Sequence, residues 1–187
     1  LVGVGAAAVD FQVATGRMPM AGNGPQAPKV NAVRYSPEEI KQMAAYVASL
    51  GPGPSIPSPE ELDPAKGDVS EGKLIFRTNC SVCHGALGSG GALTRGKYAP
   101  NLGGVSPEHI YAAMVTGPQQ MPVFTDKTIS MENKRDIIAY LKSVEETPSA
   151  GGLALGSLGP VTEGLIGWVL GLGLLIGCAV WLGAKAS

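Results

Sequence analysis

Apolar positions along the chain recur at helical spacing, and no stretch of any length alternates in the manner of a strand. Residues 1–50 hold two helical stretches separated by a loop rich in Pro, Gly and Asn. Residues 66–147 are dominated by helical periodicity, with Ile110-Tyr-Ala-Ala-Met-Val inside one helix and Met131 opening the last. Between them, residues 51–65 carry five prolines and three acidic residues, a composition that predicts an extended, semi-rigid spacer. Residues 148–160, rich in Gly, Ser and Pro, read as a flexible tether. The pattern then changes. Gly164 to Ala184 contains 21 consecutive residues without a charge or an amide, flanked by Glu163 and Lys185. At 1.5 Å per residue such a helix covers about 30 Å, the thickness of a hydrocarbon core. Six glycines in this run would each cost a helix in water about 1 kcal/mol against alanine. Lipid tolerates them better. Trp168 and Trp181 sit near opposite ends, as interfacial anchors do. One C-terminal transmembrane helix over residues 161–184 follows, with Cys178 as a small apolar side chain inside it.

An internal repeat organises the rest. Thr15-Gly16-Arg17-Met18-Pro19 matches Thr116-Gly117-Pro118-Gln119-Gln120-Met121-Pro122, with two residues inserted in the second copy. Upstream, Leu1-Val2-Gly3-Val4 falls on Leu102-Gly103-Gly104-Val105. Downstream, Tyr35-Ser36-Pro37-Glu38 leads to Ala45-Tyr46-Val47, and Ile129-Ser130-Met131-Glu132 leads to Ala139-Tyr140-Leu141. Residues 1–50 thus read as the C-terminal half of a domain whose complete copy is 66–147. A membrane anchor without a visible export signal also predicts a further N-terminal transmembrane segment or signal.

Composition narrows the chemistry. Fourteen Lys and Arg against fifteen Asp and Glu argue against nucleic acid as a partner. Three cysteines and two histidines can be read one by one. The complete copy contains Cys80-Ser81-Val82-Cys83-His84. On a helix, positions i, i+3 and i+4 share a face, so both thiols and the imidazole point one way. That spacing is the signature of covalent c-type haem attachment, with the histidine as an axial ligand. A zinc site and a Cys80–Cys83 disulfide compete with it. Zinc lacks further ligands, since Cys178 lies in the membrane run and only His109 remains. A disulfide leaves His84 without a role.

Residues 66–147 resemble class I cytochromes c over their whole length. Gly72-x-x-x-Phe76-x-x-x-Cys80, His84-Gly85, Pro100-Asn101-Leu102, Met121-Pro122 and Ile137-x-x-Tyr140-Leu141 each match a family element. The resemblance implies a mainly α fold: tandem class I cytochrome c domains, the first incomplete here, plus the anchor. It implies that Gly72 and Phe76 pack on Ile137, Tyr140 and Leu141. It further implies that the Pro100 carbonyl accepts a hydrogen bond from His84. Met121 becomes the second axial ligand, ahead of Met114, Met131 and His109, of which His109 reads as a solvated surface residue. By the repeat, Met18 would serve a first haem, with Met20 two residues on. One haem c is therefore expected on Cys80 and Cys83, and a second in the full-length protein.

The order of parts resembles the membrane-bound dihaem cytochrome c subunits of actinobacterial bcc complexes. Those complexes are menaquinol–cytochrome c reductases paired with aa3 oxidases. The resemblance implies a Rieske iron–sulfur subunit as donor, a cytochrome b subunit as neighbour and the copper-bearing oxidase subunit as acceptor. It also implies haem domains outside the cytoplasm with the C-terminus inside. Arg95, Lys97 and Lys127 either orient an acidic partner or form an ordinary solvated surface. A subunit of a cbb3-type oxidase or of a dehydrogenase, and a dihaem peroxidase, stay open as alternatives.

Overall fold

The computed structural model describes residues 1–146 and 160–185. Residues 1–147 form one compact unit, and the C-terminal segment forms a second. The tether expected at 148–160 lies outside the described residues except for Pro160.

In the first unit, α1 (Gly5–Ala14) and α2 (Pro37–Ser49) form a packed pair. The start of α2 has a reciprocal cap: Glu39 N donates to the Ser36 hydroxyl, and Ser36 N donates to the Glu39 carboxylate. Pro37 occupies the first turn, where a missing N–H costs nothing. The complete copy contains α3 (Val69–Asn79), a one-turn α4 (Ser81–His84), α5 (Pro107–Thr116) and α6 (Met131–Glu146). Asp68 caps α3 by accepting from Ser70 N and Glu71 N, and Ser106 caps α5 by accepting from His109 N. A two-residue antiparallel pair, β1 (Gly91–Ala92) with β2 (Tyr98–Ala99), joins Gly91 to Ala99 and Ala92 to Tyr98. No alternation betrays it, because two residues are too few to carry a period.

The crossing of α3 over α6 frames the complete copy. A Cβ on Gly72 would lie 1.9 Å from the Asp136 carbonyl oxygen and 2.9 Å from Ile137 N, so only glycine permits this approach. Phe76 then reaches Tyr140 with ring centroids 5.6 Å apart, in a core with Ile75, Ile110, Met114, Phe124, Ile137 and Leu141. The polar ends are satisfied. Tyr140 donates its hydroxyl proton to the Ala86 carbonyl at 2.8 Å, and Asp136 accepts from Asp68 N at 2.8 Å. Lys134 is fully buried, with its Nζ donating to Asp126 and to the Ile129 carbonyl, both at 2.6 Å.

Residues 51–65 are largely extended, as their prolines dictate, and they are held at both ends. Ala7 N donates to the Pro54 carbonyl at 3.1 Å, and Gly5 and Gly53 touch backbone to backbone. Leu62 is 1% exposed and belongs to the core of the complete copy. The spacer is thus an anchored strap, because one leucine among its prolines finds an apolar site. In addition, α1 packs on α5 through Ala7, Phe11 and Ala112. The two parts of the repeat share an interface as well as a pattern.

The second unit contains α7 (Pro160–Lys185), whose stretch Glu163–Lys185 has a mean hydropathy of 2.3 and none of its most apolar window buried. An apolar helix with no protein cover has the length and composition to cross a membrane. Lys185 caps the Trp181 ring, its Nζ 4.4 Å from the ring centroid.

Candidate functional site

α3 does not run unbroken through the cysteine motif. Its last cap is Cys80, and the chain turns once more as α4. Within that turn Cys83 N and His84 N both donate to the Cys80 carbonyl, at 3.1 and 3.0 Å. The motif therefore keeps the local helical geometry on which its spacing depends. Both cysteines are free and half-buried. Burial, with Cys83 beside it, pushes the Cys80 thiol up to about 11. Among the described residues no three His, Cys, Asp or Glu side chains converge as a metal-ion site.

His84 is buried with its Nδ1 3.1 Å from the Pro100 carbonyl oxygen. Burial lowers the imidazole pKa, while the Pro100 contact opposes that shift. A neutral ring donating from Nδ1 keeps a lone pair on Nε2, the state a metal ligand requires. The backbone holds this pairing in place. Gly90 N donates to the His84 carbonyl, and Leu102 N donates to the Gly88 carbonyl, both at 2.8 Å. A Cβ on Gly90, at φ +84, would lie 2.5 Å from the Ala99 carbonyl oxygen, so glycine allows residues 88–90 to lie directly on 99–102.

These groups face a cavity of about 320 Å³. Cys80, Cys83, His84, Pro100 and Met121 line it, with apolar walls from Phe76, Leu102, Ile110, Phe124, Ile137 and Leu141. Met121 packs on the core from the loop after α5, where its backbone N–H donates to the Pro118 carbonyl at 3.1 Å. His109 and Met114 also lie on the wall, but the two thiols, the His84 imidazole, the Met121 thioether and the apolar surroundings match the donor set of a covalently held haem. The residues present fit that group.

Met18 and Met20 are both 45% exposed and do not line this cavity. Met114 lies in the core at the cavity wall, and Met131 packs against that core at the start of α6. His109 departs from its reading as a solvated residue. Its Nε2 pairs with Asp10 Oδ2 at 3.3 Å, its side chain is 22% exposed, and it meets the Phe11 ring edge-on. The packing of α1 on α5 covers it. Lys97 lines the cavity, whereas Arg95 and Lys127 are exposed outside it.

Five residues of the first segment also line the cavity: Phe11, Thr15, Arg17, Gln26 and Lys29. Sequence reasoning missed them all. The repeat aligns the two copies but carries no signal of how they pack.

Comparison with known proteins places the chain. A family model described as "Cytochrome C oxidase, cbb3-type, subunit III" matches residues 67–141, which include the cysteine motif, Met121 and the α3–α6 crossing. The chain is 46% identical over 202 residues to the cytochrome bc1 complex cytochrome c subunit of Corynebacterium diphtheriae, covering all of this chain and 71% of that protein. It is 42% identical over 191 residues to the subunit of the same name from Mycobacterium tuberculosis, covering all of this chain and 68% of that protein. A cbb3-type oxidase subunit FixP from Sinorhizobium medicae is 42% identical over 67 residues, which is 36% of this chain and 19% of that protein. The cbb3-type family match lies within residues 67–141, whereas the bc1-type matches cover this whole chain, both halves of the repeat and the apolar helix included. From its matching motif, its mainly α fold and its full-length relatives, this chain belongs to the cytochrome c subunits of the cytochrome bc1 complex.

Proposed function

We propose that residues 66–147 bind one haem c, with Cys80 and Cys83 forming the thioether bonds and His84 and Met121 holding its iron. In this reading the subunit relays electrons from a Rieske iron–sulfur protein toward the copper centre of an aa3-type oxidase. The observation that carries the reading is one apolar cavity lined by Cys80, Cys83, His84 and Met121, with His84 oriented by Pro100. When bound, the haem supplies a one-electron ferric/ferrous couple. Pro100 orients the imidazole and strengthens it as a ligand. The Met121 thioether favours the ferrous state and raises the potential. Phe76, Leu102, Ile110 and Leu141 keep water from the pocket, which lowers the reorganisation that accompanies each electron. With His84 and Met121 both holding the iron, no site would be left for an added ligand, so the reduced protein should bind carbon monoxide poorly.

The apolar helix serves as the anchor, with the haem unit outside the cytoplasm and Lys185 on the inner side. Tethering turns encounter with the neighbouring cytochrome b, Rieske and oxidase subunits into a local event by raising effective concentration. By its place in the repeat, Met18 is the axial ligand of a first haem. A haem-to-polypeptide ratio on the full-length protein tests that assignment: two haems support it and one refutes it.

The cbb3-type family match favours a second reading, a haem subunit of another oxidase. Subunits that co-purify with the detergent-extracted chain distinguish the two. Recovery of cytochrome b and Rieske proteins supports the first reading, and recovery of a cbb3-type catalytic subunit refutes it.

A further inference from the structure

The loop after α1 crosses from one side of the haem crevice to the other. Gln26 forms a two-way clamp on Tyr98: its Nε2 donates to the Tyr98 carbonyl at 2.7 Å, and Tyr98 N donates to its Oε1 at 2.9 Å. Tyr98 stands two residues before Pro100, which orients His84. One residue further along the loop, the Ala27 carbonyl accepts from Gln119 Nε2 at 2.9 Å. Gln119 stands two residues before Met121. The segment 26–27 thus ties together the loops that carry the two axial positions.

The same segment of the chain changes the charge of the cavity. Arg17, Lys29 and Lys97 line it, and no aspartate or glutamate among the described residues does. Arg17 sits with its guanidinium carbon 4.7 Å from the Phe11 ring centroid and forms no ion pair among the described residues. A half-buried guanidinium without a counter-ion is costly unless an anion joins it.

We propose that the first segment completes the second domain's haem site, with Arg17 pairing with the carboxylates on the edge of the macrocycle and Gln26 holding the loop in place. This inference rests on the haem reading above. Arg17 acts here as a positioning and tuning residue. Reduction adds one electron to the iron with no change in its bonds, and a cation that neutralises the carboxylate edge favours that state. Without Arg17, an unneutralised carboxylate favours the ferric state.

The test is a spectroelectrochemical titration of the haem-loaded chain and its Arg17→Gln and Arg17→Lys variants, with the far-red band of Met121 ligation recorded for each. Arg17→Gln is expected to shift the ferric-to-ferrous ratio at fixed potential about threefold or more toward ferric. At 59 mV per decade this is about 28 mV downward. Arg17→Lys, which keeps the charge, should restore most of the potential. If Arg17→Gln does not accumulate, Lys29→Gln on an exposed side chain of the same cavity should give a smaller shift in the same direction. Superimposable titrations of parent and charge-removing variants overturn the inference, as does an equal shift in Arg17→Lys. A haem adduct on Cys80 and Cys83 in every variant separates that failure from failure of the haem reading, which would leave the parent itself without one.

Discussion

Helices α2 and α6 close the two copies of one repeat, and they are buried differently. Three pairs share a buried register: Ile40 with Lys134, Ala44 with Ile138, and Val47 with Leu141. On the neighbouring face they part. Asp136, Ala139 and Tyr140 are buried against α3, whereas Gln42, Ala45 and Tyr46 are exposed. Tyr140 is 5% exposed and Tyr46 is 65% exposed, although both stand in Ala-Tyr pairs on equivalent turns. The methionines divide in the same way, Met121 against the core and Met18 half in solvent. A repeated pattern therefore specifies a helix and one apolar stripe. What the second face does depends on whether a Gly72-Phe76 surface lies against it.

Three experiments sharpen this contrast. The largest effect belongs to Gly72→Val, which drives a side chain into the Asp136 backbone. Such overpacking costs about 3 kcal/mol or more and should abolish the folded haem domain in a thermal melt. Ala45→Val, on the exposed face of α2, should leave the melt within about 0.5 kcal/mol. Next, Met121→Ala should remove the far-red sulfur-to-iron absorption of the haem on Cys80 and Cys83 and lower its midpoint potential. Met18→Ala should leave that haem's band intact. Loss of the band in Met18→Ala would reverse the assignment. Smallest is Tyr140→Phe, which deletes the hydrogen bond to Ala86 and should cost about 1 kcal/mol in denaturant unfolding. Tyr46→Phe should cost nothing measurable, and equal costs for the two would dissolve the comparison.

Much of the fold of the complete copy was legible in the sequence because part of its information is local. The Cys80-Cys83-His84 spacing declares itself within a few residues, whereas the roles of Gly72 at the α3–α6 crossing and of the Met121-Pro122 loop came from the family pattern. The Pro100 contact came from the family pattern, and the geometry has it at 3.1 Å. What stayed hidden is long-range. Gln26 meets Tyr98 across 72 positions, and Gln119 meets Ala27 across 92. No periodicity encodes such pairs. For the same reason, His109 read as a surface residue, because nothing near it in sequence announces Asp10 and Phe11. Leu62 likewise sits among prolines that gave the stretch its extended character and concealed its place in the core.

The central claim is that Cys80 and Cys83 hold a haem in the cavity beside His84 and Met121. Mass analysis of the tryptic peptide spanning residues 78–95, taken from the purified full-length protein, tests it most directly. The account predicts that this peptide carries the mass of one haem and absorbs with it on the column. Recovery of the same peptide at its unmodified mass, from protein that shows a haem spectrum before digestion, would contradict it.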